Sequence, residues 1–370
     1  MSAPDRRPNS RNGRPAGPSR AGGPAVGRLL DYRLVIAVVL IGGVAGLASA
    51  VAPRAPRLAE TFGSAAHPDD GPQAVDPAAM TAGACVALPP TSGDRHRTVL
   101  LDAGHGGIDP GGVGTTASGQ AVAESTVNLA IELDAAAVLR AQGFRVVVSR
   151  TADTTVVRLT PQDVSGDELS LLGVHDDVVA RDTCADLAHA DALVGIYMDT
   201  GYSSSDAGAL TLYDADRPFA AANERLARLL QGDVLSAMNG QGWGIPDDGA
   251  DPDSGFGSSV ETSSGSPLAA LAASYDHLLL LGPALAGFSS APSTMPGAVI
   301  EPLYLTDPYE GSIAVTPGDQ EVIGGAVAQA VEQFLAPPSG APAGGASCAR
   351  TVHFVDACPV QELLTPGAAG

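Results

Sequence analysis

From Thr98 to about Phe334, short apolar runs alternate with helical patterns, and this alternation constrains the chain more than any other feature. "TVLLD" (98–102) reads as a strand, "ESTVNLAIELDAAAVLRAQG" (124–143) as a helix stopped by Gly143, and "FRVVVSR" (144–150) as the next strand. "ELSLLGVHDDVVARDTCADLAHA" (168–190) predicts a helix or a broken pair, followed by the buried strand "DALVGIYMD" (191–199). "GALTLYD" (208–214) is a strand, and "PFAAANERLARLLQGDVLSAMNG" (218–240) is a helix ended by Gly240. "DHLLLLGPAL" (276–285) and "GAVIEPLYL" (297–305) supply two more strands, and "DQEVIGGAVAQAVEQFL" (319–335) a closing helix. Strand and helix in alternation predict a layered α/β domain.

The 370 residues suffice for one large domain or two small ones. All 20 basic residues are arginine, and seven of them fall in the first 33 residues, against only Asp5 and Asp31. Beyond residue 52 the chain carries 13 Arg against 39 acidic residues, a net charge of −26. Such a body repels nucleic acid and anionic lipid, which excludes nucleic-acid binding.

"LVIAVVLIGGVAGLASAVA" (34–52) is 19 residues without a charge. As a helix it would span roughly 28 Å, close to a hydrocarbon core. Arg28 and Arg33 at its N-terminal end place the Arg/Pro/Gly-rich leader, residues 1–33, in the cytoplasm and the chain beyond residue 52 outside it. The stretch also closes on Ala48-Ser49-Ala50 and Ala50-Val51-Ala52, the small-x-small form that signal peptidases cut. The expectation is a single-pass anchor with an extracytoplasmic domain, the alternative being secretion after cleavage near Ala50 or Ala52. Cys85, Cys184, Cys348 and Cys358 all lie beyond this stretch, where disulfides persist, and four cysteines allow three pairings. No free thiol is expected, and at least one bridge should tie the Cys348/Cys358 tail to itself or to Cys85; Cys184 is the candidate for a buried free thiol if one exists.

Residues 53–96, rich in Pro, Ala, Gly and Asp, read as a linker, residues 97–337 as the folded domain, and residues 338–370 as a low-complexity tail with a Cys pair. The acidic Gly/Ser insertion 242–266 reads as a solvated loop, because Asp247, Asp248, Asp251 and Asp253 miss the EF-hand spacing.

In "LLDAGHGGIDPGGVG" (100–114) a strand ending in Asp102 delivers His105 into glycines that let backbone and substrate come close. Taken alone, such a histidine is a ligand, a base or a loop residue bonded to a carbonyl. Glu124 opens the next helix, where the dipole favours an acid in any case. Glu301 ends the apolar run "GAVIE", where a sheet presents groups to a crevice.

These segments, together with "ESTVNLAIEL", "FRVVVSRTAD", "RDTCADLAHADALVGIYMDT" and "GAVIEPLYLTDPYE", resemble the zinc-dependent N-acetylmuramoyl-L-alanine amidases of type 3, bacterial cell-wall hydrolases. The resemblance implies a twisted, mostly parallel sheet of about six strands with helices on both faces. It further implies that His105 and Glu124 bind Zn2+, that Glu301 is the general base, and that peptidoglycan is the substrate. A monomer is expected. Where the family has a second histidine, in "SIHAN", this chain has Tyr197, within Gly195-Ile196-Tyr197-Met198-Asp199. A tyrosine ligates only as phenolate, from an ordinary pKa of ~10. Tyr197 is the expected third ligand, and Asp199, on the same strand face roughly 6.6 Å further on, the possible substitute; His175 could also swing in. The chain is expected to cleave the bond between N-acetylmuramic acid and L-alanine of the stem peptide. The alternative is a catalytically impaired relative that binds peptidoglycan or a cell-wall partner.

Overall fold

The computed structural model describes residues 72–76, 78–257 and 266–336. In chain order the elements are β1 Gln73–Ala74, β2 Ala84–Leu88, β3 Thr98–Ala103, β4 Val113–Thr115, β5 Ala121–Ala123, α1 Glu124–Ala141, β6 Arg145–Arg150, β7 Val164–Ser165, β8 Glu168–Leu169, α2 Leu171–Leu187, β9 Ala192–Ile196, β10 Ala209–Tyr213, α3 Ala220–Gly240, β11 Asp247–Pro252, α4 Pro267–Ser274, β12 Gly297–Glu301, α5 Pro308–Ala314 and α6 Pro317–Leu335.

Eight strands form one sheet in the order β1-β2-β6-β3-β9-β12-β10-β11, flanked by the small β4-β5 and β7-β8 hairpins. Its centre, β6-β3-β9-β12, is parallel, whereas β2 joins β6, and β10 joins β12, in antiparallel pairs. The three central strands β3, β9 and β12 therefore end together, and His105, Tyr197 and Glu301 sit at or just beyond those ends. Side chains alternate across the pleat. Val99, Leu101, Val194, Ile196, Ala298 and Ile300 pack with α1, α3 and α6, while Leu100, Leu193 and Val299 pack with α2 on the other face. In α1, Val127, Ile131, Ala135 and Leu139 recur every four residues and are buried, the spacing of one helix stripe. Ser170 caps α2 by accepting the Gly173 amide, a bond that satisfies one orphan donor of the first turn.

Three segments depart from the sequence expectation. The sheet begins within the expected linker, as Cys85 and the rest of β2 are buried against β6. The insertion is no free loop: Asp247–Pro252 pairs in parallel with β10, its carboxylates lying on an edge strand, where charge discourages further pairing. "DHLLLLGPAL" is not a strand but a series of turns whose Leu278, Leu279, Leu280 and Leu281 are all buried. An unbroken apolar run reports burial without reporting period, and leucine lacks the branching that favours strands.

Cys184 of α2 is not free; it is bonded to Cys85 of β2, 99 residues away, so Cys85 is not joined to the tail. In the chain-entropy account a loop of that size is worth roughly 4–5 kcal/mol. Cys348, Cys358 and the apolar stretch 34–52 lie outside the described residues, among which no helix is long and apolar enough to cross a membrane.

One acid in this core makes stability depend on pH. Glu132 of α1 is fully buried; its Oε1 accepts from the Ala103 and Ser149 amides and the Ser149 hydroxyl, while Oε2 has no partner. Burial outweighs attraction to Arg150 and pushes its carboxyl up to about 8. The folded protein thus keeps a proton that the unfolded chain releases above an ordinary value near 4.5. This contribution to stability is complete below that value and is lost as pH rises to the folded value. Glu132→Gln keeps the Oε1 acceptor and removes the titration. The variant should gain on the order of 5 kcal/mol over the native chain between pH 4.5 and pH 8. Paired thermal melts across that window check this, and a difference that does not vary with pH would refute it.

Candidate active site

β3 ends at Ala103, and the chain then passes through Gly104 into His105, whose φ of +61° is left-handed. A Cβ on Gly104 would lie 2.3 Å from the Tyr197 ring, and one on Gly111 2.6 Å from both Glu124 Oε2 and the His105 ring. Glycine is what lets these side chains approach one another. A reciprocal backbone pair between Gly106 and Asp109 folds the following loop back, so Asp109 Oδ2 meets His105 Nδ1 at 2.8 Å. The other ring nitrogen, Nε2, lies 3.3 Å from Glu124 Oε2.

Glu124 opens α1 directly after β5 and is buried. Its Oε2 also accepts the Gly112 amide at 2.7 Å, and its Oε1 accepts the Met198 amide and Asn128 Nδ2. Burial would raise this carboxyl, but the His105 imidazole and those amides hold it below the usual range. For His105, burial opposes the charge, yet Glu124 and Asp109 prevail and raise its pKa well above the ordinary value.

Two further carboxylates face this pair. Glu301, at the end of β12, is half-buried, and its carboxyl is raised well above the usual range by burial and by Asp199 and Glu124. Asp199, just beyond β9, is pushed up to about 6, chiefly by burial; its Oδ1 accepts the Thr200 amide at 2.6 Å. The fold thus gathers His105, Glu124, Asp199 and Glu301 at one sheet end.

Tyr197 is placed differently. Its ring meets that of His105 edge-on, with centroids 5.6 Å apart, but its hydroxyl donates to Asp102 Oδ2 at 3.1 Å. Burial and the Asp102 charge raise its pKa well above 10.0, so the phenolate needed for metal ligation is disfavoured. His175 does not swing in, because its two nitrogens engage Asp176 and the Phe288 carbonyl. His189 is exposed at the end of α2.

Asp109, four residues beyond His105 in the same glycine-rich loop, is faintly legible in the sequence as a member of the site, and Arg181 is not legible at all. Arg181, 76 residues from His105, is buried; it donates to the His105 and Ala103 carbonyls and pairs with Asp102 and Asp177. Only the meeting of α2 with the end of β3 creates that contact.

The residues present suit a divalent cation. Nε2 of His105 and Oε2 of Glu124 stand about as far apart as two ligands of a tetrahedral shell, ~3.3 Å for bonds of ~2.0–2.1 Å. Asp109 holds the second ring nitrogen, as a carboxylate commonly does behind a ligating histidine. Asp199 and Glu301 are close enough to interact electrostatically with Glu124, though neither completes a group of three ligand atoms with the pair. Among the described residues, the one group that brings three potential ligand atoms within 4.8 Å of one another lies elsewhere, at Asp214, Asp253 and His277.

A family model described as N-acetylmuramoyl-L-alanine amidase (Amidase 3) matches residues 99–333. A search of curated proteins finds no match. Among solved structures, the chain is similar to the catalytic domain of CwlV, an N-acetylmuramoyl-L-alanine amidase from Bacillus (Paenibacillus) polymyxa var. colistinus. There the identity is 21% and the TM-score 0.43, covering 65% of this chain and 98% of that one. It is also similar to an N-acetylmuramoyl-L-alanine amidase from Clostridium difficile, at 23% identity and TM-score 0.43 over 65% and 96% of the two chains. A Mycobacterium smegmatis amidase gives 17% and 0.44 over 66% and 98%. The family match spans well over half of the sequence and takes in every residue of the site just described, so the chain belongs to the N-acetylmuramoyl-L-alanine amidase family.

Proposed function

We propose that this chain is a peptidoglycan hydrolase that cleaves the amide bond between N-acetylmuramic acid and the L-alanine of the stem peptide. His105, Glu124 and a third carboxylate would hold a zinc ion. The observation that carries the reading is the gathering of His105, Glu124, Asp199 and Glu301 at the ends of β3, β9 and β12. When bound, the ion supplies Lewis-acid polarisation of the scissile carbonyl. Glu301 acts as general base: it takes a proton from the attacking water and delivers it to the leaving amine. Its raised proton affinity suits that exchange better than an ordinary carboxylate's would. Asp109 fixes the orientation of the His105 ring through Nδ1, and the Gly112 and Met198 amides fix the Glu124 carboxylate.

Of the two third-ligand candidates, the hydrogen bonding favours Asp199, since the Tyr197 hydroxyl is engaged by Asp102. Tyr197 then serves to pack against His105. The Cys85–Cys184 bridge supports action outside the cytoplasm, with residues 34–52 as anchor or signal and the cell wall as partner.

Glu301→Gln should lower muropeptide hydrolysis by about 10²–10⁴-fold while leaving zinc content unchanged, as measured by chromatography of cleaved products and by elemental analysis. Native protein that is folded and zinc-loaded yet cleaves nothing would instead favour a peptidoglycan-binding role. For the ligand assignment, Tyr197→Phe should keep zinc affinity within a few-fold. Asp199→Asn should weaken it by more than the roughly 10–100-fold typical of an outer partner. Competition with a chromogenic chelator measures both, and the reverse order would make Tyr197 the ligand.

A further inference from the structure

A second cluster of ligand-type side chains lies at the opposite end of β12. β10 runs antiparallel to β12, with Leu210 paired to Glu301 and Leu212 to Val299, so Asp214 falls at the level of Gly297. Four residues of strand, roughly 13 Å, separate that level from Glu301. Asp214 follows β10, Asp253 follows β11, and His277 lies in the turns after α4; both aspartates are fully buried.

Each carboxylate is tied back by one oxygen and presents the other to the imidazole. Asp214 Oδ1 accepts the Asp216 amide at 2.7 Å, and Asp253 Oδ2 accepts the Leu278 amide at 3.0 Å. Asp214 Oδ2 and Asp253 Oδ1 lie 2.9 Å and 3.3 Å from the same nitrogen, His277 Nδ1. One N–H cannot serve two acceptors well, and Asp214 Oδ2 is buried with no hydrogen bond. Two buried carboxylates thus converge on one imidazole nitrogen, and Asp214 Oδ2, although in ion-pair range of it, makes no hydrogen bond, a buried arrangement that a cation would satisfy. The 3.3 Å separation matches a tetrahedral shell, where ligands at ~2.0–2.1 Å from zinc stand ~3.3 Å apart, and the 2.9 Å one is somewhat shorter. On the far side of the ring, the exposed Asp216 carboxylate lies 3.6 Å from Nε2. An imidazole and only two carboxylates argue against calcium, which takes six to eight oxygens.

We infer that Asp214, Asp253 and His277 form a second divalent-cation site of the zinc class, separate from the His105 site. An ion there joins the ends of β10 and β11 to the turns after α4, fastening the acidic insertion to the sheet. This inference does not rest on the catalytic reading.

The test uses the full chain in detergent, with zinc as the probe, in a His105→Ala background that disables the first site. The expected result is about one tightly held zinc per chain and a rise in thermal midpoint on adding zinc, both lost on adding His277→Gln. Asp214→Asn, which keeps the Oδ1 acceptor, is the second variant and should weaken binding by more than about 100-fold. Melts in chelator establish that each variant folds. Cobalt substitution gives an independent readout, a visible absorption band that disappears with His277→Gln. The inference is overturned if the His105→Ala chain takes up no zinc in excess, or if its zinc survives in folded His277→Gln and Asp214→Asn chains. Failure of the His105 site alone reads differently, since the native chain would then hold one zinc that depends on His277.

Discussion

Two buried guanidinium groups grip the carbonyls at the end of β3, and the geometry of the site depends on that grip. Arg181 donates to the Ala103 and His105 carbonyls, and Arg150 to those of Ala103 and Gly104. The backbone there leaves the sheet and enters a left-handed conformation at His105, a departure that costs on the order of 1–3 kcal/mol for a non-glycine residue. A guanidinium offers several donors in a fixed plane, so one side chain can hold two carbonyls and a carboxylate at once. Asp102 closes the network: it takes Arg181 on one oxygen and the Tyr197 hydroxyl on the other. Tyr197 therefore belongs to the support of His105 through both its ring and its hydroxyl.

The same helix that carries Arg181 is stapled to the sheet. Cys184 lies three residues on, hence on a neighbouring face of α2, and its bond to Cys85 joins α2 to β2. The Ser170 cap and the Asp177 carboxylate add local order, Asp177 accepting both from Arg181 and from the Val156 and Val157 amides. Helix, strand edge and catalytic loop are thus coupled through a few buried polar contacts set within an apolar interior.

The acidic character of the chain acquires a function through environment. Glu124 and Asp109, beside the imidazole, are held below the usual carboxylate range, while Asp199 and Glu301, desolvated beside other carboxylates, are raised. Carboxylates of one site are thus driven apart in proton affinity by their surroundings alone. Glu310 extends the pattern, since its carboxylate accepts the Tyr304 and Gly208 amides and pins the segment beyond Glu301 to the start of β10.

The sequence alone determined the layered α/β class, the strands through His105 and Glu301, the helices α1, α3 and α6, and the family to which the site belongs. Those features are local, because apolar periodicity and a glycine-bounded histidine are written in adjacent residues. Tertiary structure alone decided the Cys85–Cys184 pairing, the recruitment of residues 73–74, 84–88 and 247–252 into the sheet, and the turns at 276–285. Each of these is set by what the segment meets across the fold. A cysteine bonds whichever partner the packing delivers, and an edge strand forms wherever unpaired backbone groups are offered. The substitution at Tyr197 shows the same division. The sequence showed that an imidazole was missing and offered Asp199, two residues on, as a substitute carboxylate; only the fold supplied Asp102 to take the Tyr197 hydroxyl.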